Sequence, residues 1–169
     1  TVFFSGCDWR CVYWQNAEIA SGTAGKEITV ERLAEIFLEL QAQKANNINL
    51  VTATHYVPQV VGALKKAKDQ GLHISVVYNC GGYESLNSLK VLENKVQIYL
   101  PDLKYADDNL ALRYSDAENY FEIATNAIKE MYRQVGKYEF DENGIMTKGV
   151  IIRHLILPNN LENTKKVID

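Results

Sequence analysis

Two cysteines, Cys7 and Cys11, lie four positions apart directly after the apolar segment that opens the chain. Thiols at this spacing can share a metal, and two small buried thiols in a loop are the alternative interpretation. The sequence contains 3 cysteines in all, an odd number. That number favours a reducing compartment over a disulfide framework, so we predict a cytoplasmic protein.

Four further segments place polar residues after strand-like runs: Ile48–Gln59, Val77–Ser85, Tyr99–Tyr105 and Arg153–Pro158. Together with the cysteine segment, they resemble radical S-adenosylmethionine (SAM) proteins, and among these the activating enzymes related to pyruvate formate-lyase activase. The resemblance covers essentially the whole chain. Two departures from the family pattern are Ala53, where proline is expected, and Asn159, where glycine is expected.

The resemblance implies a four-iron four-sulfur (4Fe-4S) cluster with Cys7 and Cys11 as two of its three cysteine ligands. Three thiolates would leave the fourth iron open to the amino and carboxylate groups of SAM. Trp14 occupies the position of the third cysteine, and an indole has no lone pair suited to iron. Tyr13 precedes that position and is implied to pack near the adenine of SAM.

A second implied set of ligands follows the later strands. By resemblance, Asp102 holds ribose or methionine polar groups of SAM and Lys104 balances charge beside it. Arg153 would bind the SAM carboxylate, because its planar guanidinium matches that group. The alternatives are an ion pair at the strand end for Asp102 and Lys104, and an internal salt bridge for Arg153.

The turns after the second and third strands complete the implied site. Thr52 and Thr54 would contact the SAM amino group, although short polar residues also satisfy turn backbone. Asn79 opens a glycine-rich loop that the resemblance assigns to the cofactor lining. His55 can bind metal or transfer a proton, or be structural. Cys80 is either a replacement cluster ligand or a small buried residue.

The implied activity is radical chemistry: the reduced cluster gives one electron to SAM, and the resulting 5′-deoxyadenosyl radical abstracts hydrogen from a substrate. By resemblance, the substrate is a protein, a glycyl radical enzyme. The rival interpretation is a decayed homologue that keeps the fold without a competent cluster, and Trp14 is the residue that favours it.

The elements that must position these residues alternate between strand-like and helical patterns, which is typical of parallel strands joined by crossover helices. Five strands are predicted, at Thr1–Phe4, Ile48–Thr52, Ile74–Tyr78, Val96–Leu100 and Val150–Leu157. Because ligands of such sheets bind at the carboxyl ends of the strands, the residues above are expected to line one cleft.

Four helices are predicted between the strands. The first is capped by Thr29, the second runs from Pro58 to Gly71, the third from Ser85 to Asn94, and the fourth from Asp116 to Val135. Residues 141–144 read as a tight hairpin turn. Because a full eightfold barrel needs about 250 residues, residues 1–169 are expected to form a single α/β domain, an incomplete (β/α) barrel with helices outside. The chain opens at Thr1 directly into a strand-like run, and we expect it to be a fragment.

The composition is that of an ordinary globular domain, with 47% hydrophobic and 23% charged residues and a net charge of -3. This charge gives no electrostatic reason to expect a nucleic acid or an anionic membrane as partner. The apolar runs are too short for a membrane helix, and the first residues do not resemble a signal peptide.

Overall fold

The computed structural model describes residues 1–7, 9–14 and 16–169. Its strands form one sheet in the order β1-β2-β3-β4-β6-β5. Neighbouring strands are parallel from β1 through β4 to β6, and β5 is antiparallel to β6. The strands are β1 (Val2–Phe3), β2 (Asn47–Val51), β3 (Ser75–Cys80), β4 (Ile98–Pro101), β5 (Glu139–Phe140) and β6 (Met146–Val150).

The helices are α1 (Ala17–Ala20), α2 (Val30–Ala42), α3 (Val57–Asp69), α4 (Leu86–Leu92), α5 (Asp108–Ser115), α6 (Tyr120–Val135) and α7 (Leu161–Ile168). The predicted cap of the first long helix is confirmed: the hydroxyl of Thr29 accepts a hydrogen bond from the N–H of Arg32 at 3.1 Å. This bond satisfies one of the N–H groups that the first turn of a helix leaves without a partner. None of the helices in the described part of the chain is long and apolar enough to span a bilayer.

The main core lies between one face of the sheet and helices α2, α3, α4 and α6. Leu50 pairs with Tyr78 and Tyr78 with Tyr99 across three strands, and all three side chains are fully buried under these helices. Because side chains alternate along a strand, the intervening residues point to the opposite face. That face carries Asn49 and Val51, which line a cleft. The predicted mostly parallel sheet is therefore confirmed, and helices α2, α3, α4 and α6 pack against one of its faces.

The predicted last strand, Val150–Leu157, overlaps the observed strand only at Val150, and parallel pairing beyond that strand extends only as far as Arg153. The strand is β6, and a turn at residues 141–144 joins it to β5, as the hairpin signal indicated. The apolar run was misleading because much of it is exposed, including Ile152 at 50% and Ile156 at 63%. The sheet therefore has a sixth, antiparallel strand that was not predicted.

The predicted fourth helix is also wrong at its start. Asp116 ends helix α5 in the left-handed conformation (φ +54°), and Asn119 is left-handed as well (φ +49°). Two such residues interrupt a right-handed helix, so α6 begins at Tyr120. Helices α1, α5 and α7 were not predicted.

Replacing Thr29 by alanine should lower the free energy of unfolding by about 1 kcal/mol, because the first turn of α2 loses its cap. Thr29→Ser keeps the hydroxyl and should stay within about 0.5 kcal/mol of the parent chain. Urea denaturation followed by circular dichroism measures both. Equal stability of the alanine and serine variants would show that the cap contributes nothing.

Candidate functional site

One cleft of about 410 Å³ collects all the residues that the sequence assigned to cluster or SAM binding. Its volume is in the range of small-molecule sites, roughly 300–1,000 Å³. The assigned residues that line it are Cys7, Cys11, Tyr13, Thr52, Thr54, Asn79, Asp102, Lys104 and Arg153. The expectation of a single shared cleft is confirmed, while the role of each residue stays a prediction.

Asp102 is the centre of a charged group in this cleft. One carboxylate oxygen lies 2.8 Å from Nε of Arg153 and the other lies 3.2 Å from Nζ of Lys104. A terminal nitrogen of Arg153 also donates to the amide oxygen of Asn79 at 2.7 Å. The ion pairs that the sequence analysis gave as alternatives to ligand binding, between Asp102 and Lys104 and at Arg153, are thus present. Two cations around one carboxylate leave this group with a net positive charge that suits an anionic ligand group.

The backbone places Asp102 and Arg153 side by side. Beyond the end of β4, the two residues form an isolated parallel bridge. The N–H of Leu103 donates to the carbonyl of Arg153 at 2.8 Å, and the N–H of Arg153 donates to the carbonyl of Pro101 at 2.9 Å. Parallel pairing therefore continues past β6 at the level of the cleft and fixes the arginine there.

The glycine-rich loop after β3 packs against the backbone of Asp102. Gly82 has a φ of +85°, and a Cβ added to it would lie 2.1 Å from the carbonyl oxygen of Asp102. The buried hydroxyl of Tyr120 donates to that same oxygen at 3.0 Å and accepts from the N–H of Lys104 at 2.9 Å. Burial raises the pKa of Tyr120, so its hydroxyl stays protonated and remains a donor.

Thr52 follows β2 in an unusual backbone conformation, with a φ of +59°. Such a conformation costs on the order of 1–3 kcal/mol for a residue other than glycine and is retained where the surrounding structure enforces it. Here the N–H of Thr52 donates to the carbonyl of Asn79 at 3.1 Å. The turn is thus tied to β3 at the edge of the cleft.

Glu84 is a buried carboxylate in the cleft wall, only 3% exposed. Its two oxygens accept hydrogen bonds from Thr54 Oγ1 at 2.7 Å and from the hydroxyl of Tyr78 at 3.1 Å. Thr54 is therefore linked to an acidic group of the loop that the resemblance assigned to the cofactor lining.

The cysteine segment is anchored to the end of helix α5. Cys11 Sγ lies 3.0 Å from the hydroxyl of Ser115, and the N–H of Val12 donates to the carbonyl of Tyr114 at 3.0 Å. The N–H of Trp14 donates to the carbonyl of Cys11 at 3.2 Å, which closes a turn. These contacts hold the thiol of Cys11 in place.

Tyr13 belongs to a second, smaller core that also contains Tyr105 and Tyr120. Its hydroxyl hydrogen-bonds the hydroxyl of Tyr105 and lies 3.3 Å from that of Ser115. Burial raises the pKa of Tyr13, which keeps this hydroxyl neutral. The contacts of its hydroxyl therefore hold the ring of Tyr13, which is predicted to contact adenine, in a fixed position.

The residues present do not make up a three-cysteine cluster site. Cys7 and Cys11 line the cleft together with Trp14, whose indole takes the place of the third thiol. Within the described residues no group of three or more His, Cys, Asp and Glu side chains is arranged to hold a metal ion. Cys80 lines the cleft but is buried, and burial raises its pKa well above the ordinary value, which disfavours the thiolate that iron requires.

A polar ligand fits the cleft better. Asn49 projects into it from the middle of β2, and its amide oxygen is buried without a hydrogen-bond partner in the described structure. Such an acceptor is costly unless a donor reaches it. SAM carries suitable donors in its amino, hydroxyl and adenine groups.

Sequence reasoning gave no individual role to Asn49, Glu84 or Trp9, which also line this cleft. Asn49 was detectable as a polar residue inside an apolar strand, and Glu84 as an acid directly after two glycines and a tyrosine. No sequence pattern indicated Trp9, because its contact is with a residue distant in the chain. The ammonium of Lys104 lies 4.5 Å from the centre of the Trp9 indole ring. His55 lies on the rim and is exposed.

Comparison with curated proteins finds an uncharacterized protein of Methanocaldococcus jannaschii that is 29% identical to the chain over 177 aligned positions. The alignment covers 100% of this chain and 48% of that protein. The pyruvate formate-lyase-activating enzyme of Clostridium pasteurianum is 30% identical over 113 positions, which cover 64% of this chain and 46% of the enzyme. No family model matches the chain.

The chain thus spans about half the length of the curated relatives it matches. Its similarity to an activating enzyme agrees with the resemblance found in its sequence segments. Iron–sulfur and SAM binding by this chain are therefore proposals.

Replacing Gly82 by alanine should destabilise the fold by about 1–3 kcal/mol more than replacing Gly144, because only Gly82 would suffer a backbone clash. Gly144 has a similar φ of +75°, and a Cβ there would meet nothing within 4 Å. Gly144→Ala therefore measures conformational strain alone, about 1–2 kcal/mol. Denaturant titration of both variants gives the difference, and equal losses would contradict the close packing of Gly82 on Asp102.

Proposed function

We propose that the cleft binds S-adenosylmethionine and that the chain is part of a radical SAM protein of the activating-enzyme type. The observation that carries the proposal is the convergence of nine separately assigned residues on one cleft around Asp102. The partial similarity to a pyruvate formate-lyase-activating enzyme supports it. A glycyl radical enzyme is the proposed protein substrate. We further propose that the mostly parallel sheet is an open (β/α) barrel.

The chain's own residues have defined roles in this proposal. Arg153 binds the SAM carboxylate with the guanidinium edge left available by Asp102 and Asn79, and Lys104 adds positive charge. Tyr13 packs against the adenine. Thr52 and Thr54 approach the amino group from the turn after β2. SAM, when bound and reduced by one electron, would supply the radical chemistry.

A second candidate function is a SAM-binding protein without a competent cluster. Trp14 favours it, since the indole lines the cleft next to the two thiols in place of a third. The side chains of the described residues do not complete the ligand set of a 4Fe-4S cluster. The two candidates share the SAM site and differ in iron binding.

The chain should bind SAM in isothermal titration calorimetry, and Arg153→Lys should weaken binding by about tenfold or more, because a lysine keeps the charge but loses the planar fork. Arg32→Lys, on the exposed side of α2, is the matched control and should bind as the parent chain does. Absence of SAM binding by the parent chain would reject the proposal. Equal binding by the Arg153 variant would remove only the role given to that arginine.

Trp14→Cys should raise the iron retained after anaerobic reconstitution with iron and sulfide, toward about four irons per chain, because a third thiolate completes the ligand set. Trp14→Ser removes the bulk of the indole without adding a thiol and should remain as poor as the parent. Iron per chain and broad absorption near 400 nm are the measurements. If the parent retains as much iron as Trp14→Cys, the interpretation of Trp14 is wrong, and substitutions of Cys80 and His55 would then identify the third ligand.

A further inference from the structure

Residues 103–107, between β4 and α5, contain Lys104 of the cleft and form no regular secondary structure. Buried backbone groups need hydrogen-bond partners even where no helix or strand supplies them. The N–H of Lys104 donates to the hydroxyl of Tyr120 at 2.9 Å. Its carbonyl accepts from the side-chain amide of Asn163 at 2.9 Å. Two side chains, one from α6 and one from α7, therefore set the backbone position of Lys104.

Asn163 uses both ends of its side-chain amide on this segment. Its oxygen accepts from the N–H of Ala106 at 2.8 Å, while its nitrogen donates to the carbonyl of Lys104. The residue is only 4% exposed. Burial of an amide is unfavourable unless its polar atoms are hydrogen-bonded, and both ends of this amide have partners. A buried asparagine that bonds one segment twice fixes that segment against α7.

The side chain of Lys104 depends on this backbone position for its two contacts in the cleft. Its ammonium lies 3.2 Å from a carboxylate oxygen of Asp102 and 4.5 Å from the centre of the Trp9 indole ring. The attraction of an ammonium to an aromatic face requires that the charge stay over the ring. A displaced Lys104 backbone would therefore move the charge away from the place where a ligand meets it.

We propose that Asn163 is a positioning residue for the cleft, which holds the backbone of Lys104 from α7 and so places the Lys104 ammonium over Trp9 and beside Asp102. Asn163 acts through Lys104 and does not itself contact the ligand. This inference rests on the proposed function in one respect, since it takes SAM to be the ligand that the ammonium meets.

The indole of Trp9 reports the position of the Lys104 ammonium without any ligand. The chain contains 2 tryptophans, so Trp14→Phe leaves Trp9 as the only one. In this background Lys104→Met removes the ammonium, and the resulting change in the emission maximum and intensity of Trp9 defines complete loss of the contact. Asn163→Ala should change both quantities in the same direction, because it releases the backbone of Lys104.

The affinity for SAM is the second measurement, made in the chain that keeps Trp14. Asn163→Ala should weaken SAM binding in isothermal titration calorimetry by about two- to tenfold, the size of effect expected of a residue that acts through another. Circular dichroism in urea shows whether the variant is folded. If Asn163→Ala is not folded, Asn163→Ser, which is smaller than asparagine but keeps a polar atom, is used for both measurements.

Two control variants separate this role from a general effect on stability. Asn126→Ala makes the same substitution at an exposed position of α6 and should match the parent in Trp9 emission and SAM affinity. Thr164→Val loosens α7 in another way, because its hydroxyl lies 3.0 Å from Nε2 of His154. The valine variant loses that contact and keeps both hydrogen bonds of Asn163, so it should also match the parent in both measurements.

Parent-like Trp9 emission in Asn163→Ala, or in Lys104→Met, would overturn the proposal. An equal change in Thr164→Val would overturn it too, because any loosening of α7 would then have the same effect. Changed emission with parent-like SAM affinity would reject the link to the ligand and leave the proposed function intact. Failure of the parent chain to bind SAM would reject the proposed function, while Trp9 emission would still decide whether Asn163 positions Lys104.

Discussion

The pairing of Asp102 with Arg153 is the interaction on which the rest of the cleft depends. The two residues form a parallel bridge, in which the backbone of Arg153 hydrogen-bonds Pro101 and Leu103, and their side chains form a 2.8 Å ion pair. The carboxylate of Asp102 also holds Lys104, and its carbonyl oxygen holds Tyr120 and packs against Gly82. Loops after two different strands therefore take their positions from one residue.

A second, smaller core contacts residues that line the cleft. The small core of Tyr105, Tyr120 and their neighbours lies apart from the main core under the sheet. It receives the hydroxyl of Tyr13, while Ser115 contacts the thiol of Cys11. Since these aromatic side chains are close-packed, a change in this core is transmitted to the cysteine segment as a shift in position. Hydroxyl groups of Tyr105 and Ser115 thus connect this core to the cysteine segment.

The polar residues of the cleft match the pattern of the resembled family more completely than the cysteine segment does. Asp102 forms ion pairs with Lys104 and Arg153. Glu84 accepts hydrogen bonds from Thr54 and Tyr78. The cysteine segment has two thiols and an indole in place of three thiols.

The sequence by itself determined the β/α alternation, the cap at Thr29 and nine of the residues that line the cleft. Local pattern carried the first two, because strand runs, capping residues and turn signals act over a few neighbours. The nine cleft residues followed from segments that resemble those of a known family. Sequence also placed them at one edge, since successive parallel strands end on the same side of a sheet.

Only the tertiary structure decided which apolar run forms the last strand and which charges face each other. The segment Ile151–Leu157 is as apolar as a strand, but β6 ends at Val150, and the parallel pairing beyond it reaches only Arg153. Glu84 became part of the site because Thr54, 30 positions earlier in the chain, and Tyr78, on the preceding strand, donate to it. Such contacts depend on distances between separate elements, and these distances are set by packing rather than by any local pattern in the chain.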